Sequence, residues 1–183
     1  MWRAALIAAA AAALAGCGGG DRVEGPPPAA PASITLRSPA FADGATIPRR
    51  YSCDGAEVSP PLRWSGVPAG ARSLALLLED PDAPGGTFVH WTLYGLAPGT
   101  RALAEGKVPP GARQGENSSG DDAYGGPCPP AGKGAHRYVF TLYALRGGAL
   151  PEAGAAPADV RAAIAGLALA RGTLTGRFAR PEG

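Results

Sequence analysis

Two histidines, His90 and His136, are the only ones in the 183-residue chain, and each sits in an apolar, strand-like run. The runs are "TFVHWTLYGL" (87–96) and "HRYVFTLYAL" (136–145). Side chains in a strand alternate between faces, so Phe88, His90 and Thr92 are expected on one face, and His136, Tyr138 and Phe140 on one face of the other strand. An imidazole buried in such a face needs hydrogen-bonding partners, and carboxylates are the natural ones. They occur in "EDPDAP" (79–84), where an apolar run ends in Glu79, Asp80 and Asp82. Pro81 pushes Asp80 toward extended backbone, so the two aspartates are predicted at a stiff corner. An imidazole backed by a carboxylate holds a proton near neutral pH and can donate to an anion.

The second chemical feature is "GGPCPPAGKGAHRYVF" (125–140), a Gly/Pro loop with a cysteine that leads into His136. Glycines let backbone N–H groups approach a ligand closely and prolines hold a loop open, a combination suited to cradling an anion. Cys128 has one partner besides Cys17, namely Cys53, and an even pair in an exported chain predicts a Cys53–Cys128 disulfide. No CxxC spacing points to zinc. Two histidines plus a carboxylate could make a facial triad for iron, but no H-x-D/E spacing occurs, and no G-x-S-x-G elbow marks a serine hydrolase. The expectation is a binding site without catalytic residues, metal or cofactor, not an enzyme.

Export is read from "MWRAALIAAAAAALAGC", a short apolar stretch with one early arginine. It has signal-peptide length, and "LAGC" at Leu14–Cys17 matches a lipoprotein lipobox in which Cys17 is acylated. Gly18 follows where an inner-membrane retention signal would show Asp, which predicts an envelope protein on the outer membrane facing the periplasm if the cell has two membranes. Residues 18–32, Gly- and Pro-rich without apolar periodicity, are expected to be a flexible tether, with one domain over 33–183. Loss of Arg3 with the leader takes the formal charge from +2 to +1, too small a balance to imply nucleic acid.

These residues must be positioned by strands. "SITLRS" (33–38), "SLALLLED" (73–80), 87–96 and 136–145 read as strands, "APADVRAAIAGLALARG" (156–172) as one helix stopping at Gly172, and "GTLTGRF" (172–178) as a closing strand. With 28 glycines and 20 prolines the connections are turn-rich. Strand runs with one late helix and no β-α-β alternation predict an antiparallel β-sandwich, mainly β, with a short C-terminal helix.

"DPDAP", "FVHWTLYGL" and "AYGGPCPPAGKGAHRYVFTLYAL", in this order, resemble the phosphatidylethanolamine-binding protein family, in particular its bacterial and archaeal Raf kinase inhibitor-like branch. "SPAFADGATIPRRYSCDG" and "SPPLRWSGVP" resemble that branch's opening, so the likeness spans about residues 34–178. It implies a β-sandwich with a pocket at one end for a small anionic or phosphorylated group, such as phosphate or a phospholipid head group. By position it implies Asp80, Asp82, His90, Tyr124, Gly126, Cys128, His136 and Tyr138 as ligand-binding residues. Arg137, on the opposite face from His136, is expected to pair with an acid such as Glu79. The family's usual "NDFG" is replaced here by "ENSSGDDAYGG", and the eukaryotic C-terminal helix and tail are not recognisable. The resemblance also raises inhibition of a kinase or protease; a structural or protein-interaction lipoprotein is the alternative.

Overall fold

The structure, a computed structural model, describes residues 22–182. Strands β1 (Thr35–Arg37), β2 (Leu62–Ser65) and β5 (Ala102–Leu103) form a small sheet in the order β1-β2-β5. Strands β3 (Ser73–Asp80), β4 (Phe88–Leu96), β6 (Arg113–Gly115), β7 (His136–Leu145) and β8 (Ala168–Phe178) form a larger one in the order β6-β4-β3-β7-β8. All strand pairings within both sheets are antiparallel. This is the β-sandwich expected from the sequence.

β3 is central in the larger sheet and buried on both faces, which is why it reads as a continuous apolar run. Leu74, Leu76 and Leu78 pack inward with Trp91, Phe140 and Leu142 against Leu36, Leu62 and Trp64 of the small sheet. Ala75 and Leu77 face the other way, where Val160 and Ile164 of the helix α1 (Pro157–Leu167) join Tyr94 and Tyr143. Removing a buried leucine side chain from either layer would cost about 2–5 kcal/mol.

The helix is shorter than expected. Its apolar period runs through Val160, Ile164 and Leu167, with Pro157 in the first turn. From Ala168 the backbone is extended and burial alternates through Ala170, Gly172, Leu174, Gly176 and Phe178. A change from helical to strand period thus ends the helix five residues before Gly172. Gly172 lies inside β8 because a Cβ there would come within 2.2 Å of the Ile34 carbonyl oxygen, where the preceding segment crosses the strand.

The expected tether differs too. Val23 is buried and donates its N–H to the Thr87 carbonyl at 3.2 Å. Arg161 of α1 donates to the carbonyls of Gly25 at 3.2 Å and Pro26 at 2.7 Å. Residues 22–32 are therefore a strap on the domain, held by the buried Val23 and Pro28, by the Arg161 guanidinium and by the Arg171 N–H, which donates to the Pro31 carbonyl at 2.8 Å. The Cys17 lipobox lies outside the described residues.

Candidate functional site

At one end of the larger sheet the inner apolar face becomes polar. Asp80 ends β3, His136 begins β7, and the Asp80 Oδ2 atom accepts a hydrogen bond from His136 Nδ1 at 2.8 Å. Both are buried, at 3% and 8% exposure, so this pair is shielded from water. The corner that places Asp80 is an Asx turn: its Oδ1 accepts the Asp82 N–H at 2.8 Å. Asp82 points outward instead. It accepts from Arg137 N and Nε, each at 2.9 Å, and from Arg137 Nη2 at 2.5 Å. The guanidinium pulls the Asp82 pKa down to about 2. The two aspartates thus fasten consecutive residues of β7, His136 by its side chain and Arg137 by both its backbone N–H and its guanidinium.

Arg137 was expected to pair with Glu79, but Asp82 takes it. Glu79, on the far face of the sheet, lies 3.3 Å from Arg161 Nε, and both side chains are buried. Burial raises the Glu79 pKa, and the Arg161 charge opposes that rise.

His90 reaches the same place through a β-bulge. Leu78 pairs with Trp91 and Glu79 with Val89, which leaves His90 as the extra residue of β4. The strict alternation expected from the sequence therefore breaks: Trp91 and Leu93 face the inner core, while Thr92 turns outward and accepts the Gly115 N–H at 3.0 Å. The His90 ring lies between Phe88, 4.6 Å away centre to centre, and the edge of Tyr138 at 5.2 Å. Its Nδ1 donates to the Gly125 carbonyl at 3.1 Å, which only accepts, so Nδ1 carries the proton. Burial holds the ring neutral, with its pKa lowered to about 4 although Asp80 pulls the other way. Nε2 of His90 is then a lone-pair acceptor.

The Gly/Pro loop forms the wall. Gly125 N–H returns to the His90 carbonyl at 2.8 Å, and Ser118 exchanges hydrogen bonds with Val89, its N–H to the carbonyl at 2.8 Å and its Oγ from the N–H at 2.9 Å. The altered stretch is closed by Asn117, whose Oδ1 accepts the N–H groups of Ser119 at 2.8 Å and Asp121 at 3.1 Å. Gly126 packs so close that a Cβ would fall 2.8 Å from the Tyr51 carbonyl oxygen. The Tyr124 hydroxyl donates to that same carbonyl at 2.7 Å, while its ring meets Trp91 edge-on. Cys128 is bonded to Cys53 across 75 residues, with Cα atoms 5.5 Å apart.

Together these residues surround a cavity of about 400 Å³. Of the expected set, Asp80, His90, Cys128 and His136 line it. Tyr138 is completely buried beside His90, and its hydroxyl has no hydrogen-bond partner among the described residues. Asp82, Tyr124 and Gly126 are not on the cavity wall; they hold the corner and the loop that form it. Pro129 and Pro130 line it as part of the expected Gly/Pro wall, Ala83, Pro84 and Phe88 come from the acidic corner and the start of β4, and Arg22 and Ser119 were not anticipated. Arg22 comes from the strap, and its single charge in a Gly/Pro-rich stretch carries no period that would have placed it. The facial triad considered for iron does not assemble, because the Asp80 oxygens are engaged by Asp82 N–H and by His136 itself. Among the described residues no group of three or more His, Cys, Asp or Glu is arranged to hold a metal.

The family model "Phosphatidylethanolamine-binding protein" matches residues 37–179. The chain belongs to the phosphatidylethanolamine-binding protein family. It is 48% identical over 181 residues, 91% of this chain and 90% of the relative, to a Mycobacterium tuberculosis protein named "Putative lipoprotein LppC". Among solved structures it is similar to the homologue CT736 of Chlamydia trachomatis, with 40% identity and a TM-score of 0.74 over 80% of this chain and 97% of that one. It is also similar to YbcL of Escherichia coli, with 31% identity and a TM-score of 0.77 over 81% and 99% of the two chains. In this family member the sandwich, the acidic corner and the Gly/Pro loop meet at one cavity.

Proposed function

We propose that the chain is an envelope lipoprotein, anchored through Cys17, whose pocket binds a small anionic or phosphorylated group and performs no catalysis. The observation that carries this is the pair of histidines whose Nδ1 atoms are both fixed, one by Asp80 and one by the Gly125 carbonyl. That leaves Nε2 of each ring for the cavity, and the two nitrogens take unlike roles. A His136 ring backed by a carboxylate donates from Nε2 when it holds both protons, whereas neutral His90 accepts there. A phosphate group that retains one proton offers both an acceptor and a donor oxygen and fits such a pair. A fully ionised anion satisfies only one of them. Cys17 acylation is supported by the lipobox and by the name of the mycobacterial relative.

The test is calorimetry with inorganic phosphate and phosphoethanolamine on the chain beginning at Gly18. Saturable binding is expected, with His136→Gln and His90→Gln each weakening it by about 1–3 kcal/mol, the range for a hydrogen bond to a charged group. Absence of binding to the native chain would reject the pocket, and normal processing of Cys17→Ser would reject the anchor.

A further inference from the structure

The outer edge of β8 is covered by the segment from Pro31 to Ile47 at both ends but not in the middle. Arg171 donates its N–H to the Pro31 carbonyl at 2.8 Å, and its own carbonyl accepts from Ser33 and Ile34, each at 3.1 Å. Farther along, the Thr175 carbonyl accepts the Gly44 N–H at 2.7 Å, Asp43 Oδ1 accepts the Thr175 N–H at 2.8 Å, and Arg177 bonds to Ala45 and Ile47. In an antiparallel pair the main chain of alternate residues faces away from the partner strand, so Thr173 faces outward as Arg171 and Thr175 do. Its N–H and carbonyl have no partner among the described residues.

Opposite Thr173, residues 35–43 swing away from β8 and leave a cavity of about 560 Å³, with β1 as the other wall. β1 is an edge strand too. Trp64 N–H is turned to the Arg101 carbonyl at 3.0 Å, so β2 meets β1 through Arg63 and Ser65, and the Leu36 main chain faces away from β2. Unpaired edges of this kind are where an extended peptide adds to a sheet. The stretch is short, because Arg171 and Thr175 are only about 14 Å apart along the strand. Pairings close it at both ends, which suits the end of a chain and not a strand running through. Its rim is cationic. Arg37 and Arg63 stand directly opposite each other on the exposed face of β1 and β2, and neither has a hydrogen bond or ion pair among the described residues. Like charges so placed destabilise a strand pair, and a carboxylate over both relieves that repulsion. A hollow of about 370 Å³ lies over them and adjoins the cavity at Thr35 and Arg37. Asp43, the acid on the cavity wall, is already engaged by Thr175.

We propose that this cleft is a docking site for the acidic carboxyl-terminal end of a partner protein, which enters extended, pairs its main chain with the free edge at Thr173 and sets its carboxylates against Arg37 and Arg63. The cleft shares no lining residue with the cavity of His90 and His136, and the proposal is independent of what that cavity holds.

The test offers the full chain a soluble library of random heptapeptides with free carboxyl ends and sequences the retained peptides by mass spectrometry. Asp and Glu should be enriched in the last positions. The double variant Arg37→Gln/Arg63→Gln should weaken a retained peptide about tenfold, as expected for two exposed ion pairs, and amidating its carboxyl end should weaken it about fivefold. The bound peptide should also slow hydrogen exchange at the Thr173 N–H. Thr173→Pro removes a donor that β7 does not use, so it should lower peptide affinity while far-UV dichroism stays native. If that variant fails to fold, the exchange measurement on the native chain decides. A library from which nothing is retained overturns the proposal, and so does retention of neutral or basic peptides indifferent to the two arginines. Retention abolished by His136→Gln places the peptide at the other cavity and overturns it as well. Arginine-dependent binding to anionic phospholipid vesicles, with no peptide retained, assigns the pair to a membrane surface and overturns the protein partner.

Discussion

Asp80 and His136, 56 residues apart in the chain, meet at 2.8 Å between Oδ2 and Nδ1 in a place almost closed to solvent. Neither can be changed alone without leaving the other short of a partner. Asp80→Asn keeps the shape, removes the charge behind the imidazole, and is expected to lower stability by about 1.5–3 kcal/mol. A double-mutant cycle with His136→Gln, followed by urea unfolding, should give a coupling of about 1–3 kcal/mol. Additive single effects would mean that the contact contributes little beyond packing.

The Cys53–Cys128 bond ties the pocket wall to the loop after Arg49–Tyr51, where Cys53 N–H also donates to the Pro127 carbonyl at 3.2 Å. In the chain-entropy account a closure of this length contributes about 4 kcal/mol by restricting the unfolded chain. The Cys53→Ser/Cys128→Ser double variant should therefore unfold at lower temperature, by a margin equivalent to a few kcal/mol. Because Cys128 lines the cavity, the same variant should also bind phosphate more weakly. An unchanged melting temperature would show that the other loop contacts suffice.

Glu79 and Arg161 are a buried ion pair, and Arg161 also holds the strap. Arg161→Met leaves a carboxylate buried without its counter-charge, which is expected to cost about 3–5 kcal/mol at neutral pH. The Glu79 pKa is already raised by burial, so loss of the opposing Arg161 charge raises it further. An acid whose folded-state pKa lies above its unfolded value loses stability as pH rises through that interval and regains it on acidification. The deficit of Arg161→Met against the native chain should therefore shrink from neutral pH toward the ordinary glutamate range, as read by denaturant midpoints. A deficit independent of pH would place the loss in the strap contacts alone.

Much of this architecture was legible because period and order survive in a single sequence. The central strand's unbroken apolar run, the acidic corner and the two histidine strands each follow from local pattern, and the sandwich follows from their arrangement. What was not legible depends on events between segments. The bulge at His90 is set by the pairing of β3 with β4, and it moves Thr92 to the other face while leaving His90 at the pocket. The helix was extended past Leu167 because alanine and leucine satisfy either period; the strand there is set by its pairing with β7, from Leu145 opposite Ala168 to His136 opposite Phe178. β2, β5 and β6, of four residues or fewer, are too short for a periodic signal. Arg22 and Val23 look like tether until the surface that receives them exists.

His90 offers the sharpest pH test, since its ring is buried, neutral and bonded through Nδ1 to Gly125. Its pKa is lowered to about 4 by burial, against 6.5 in the unfolded chain, and the nearby Asp80 only partly opposes this. Between those two values the unfolded state binds the proton and the folded state does not, so stability falls as pH drops from 6.5 toward 4. The interval corresponds to a loss of roughly 3 kcal/mol, levelling off below the folded-state value. His90→Gln removes the titrating group and can retain a donor to the Gly125 carbonyl, so its stability should change less over the same range. The native chain should therefore lose its advantage over the variant on acidification, measured by urea unfolding at half-unit pH steps. If the two curves stay parallel, the ring binds its proton alike in the folded and unfolded chain, and burial does not hold it neutral as the acceptor role of Nε2 requires.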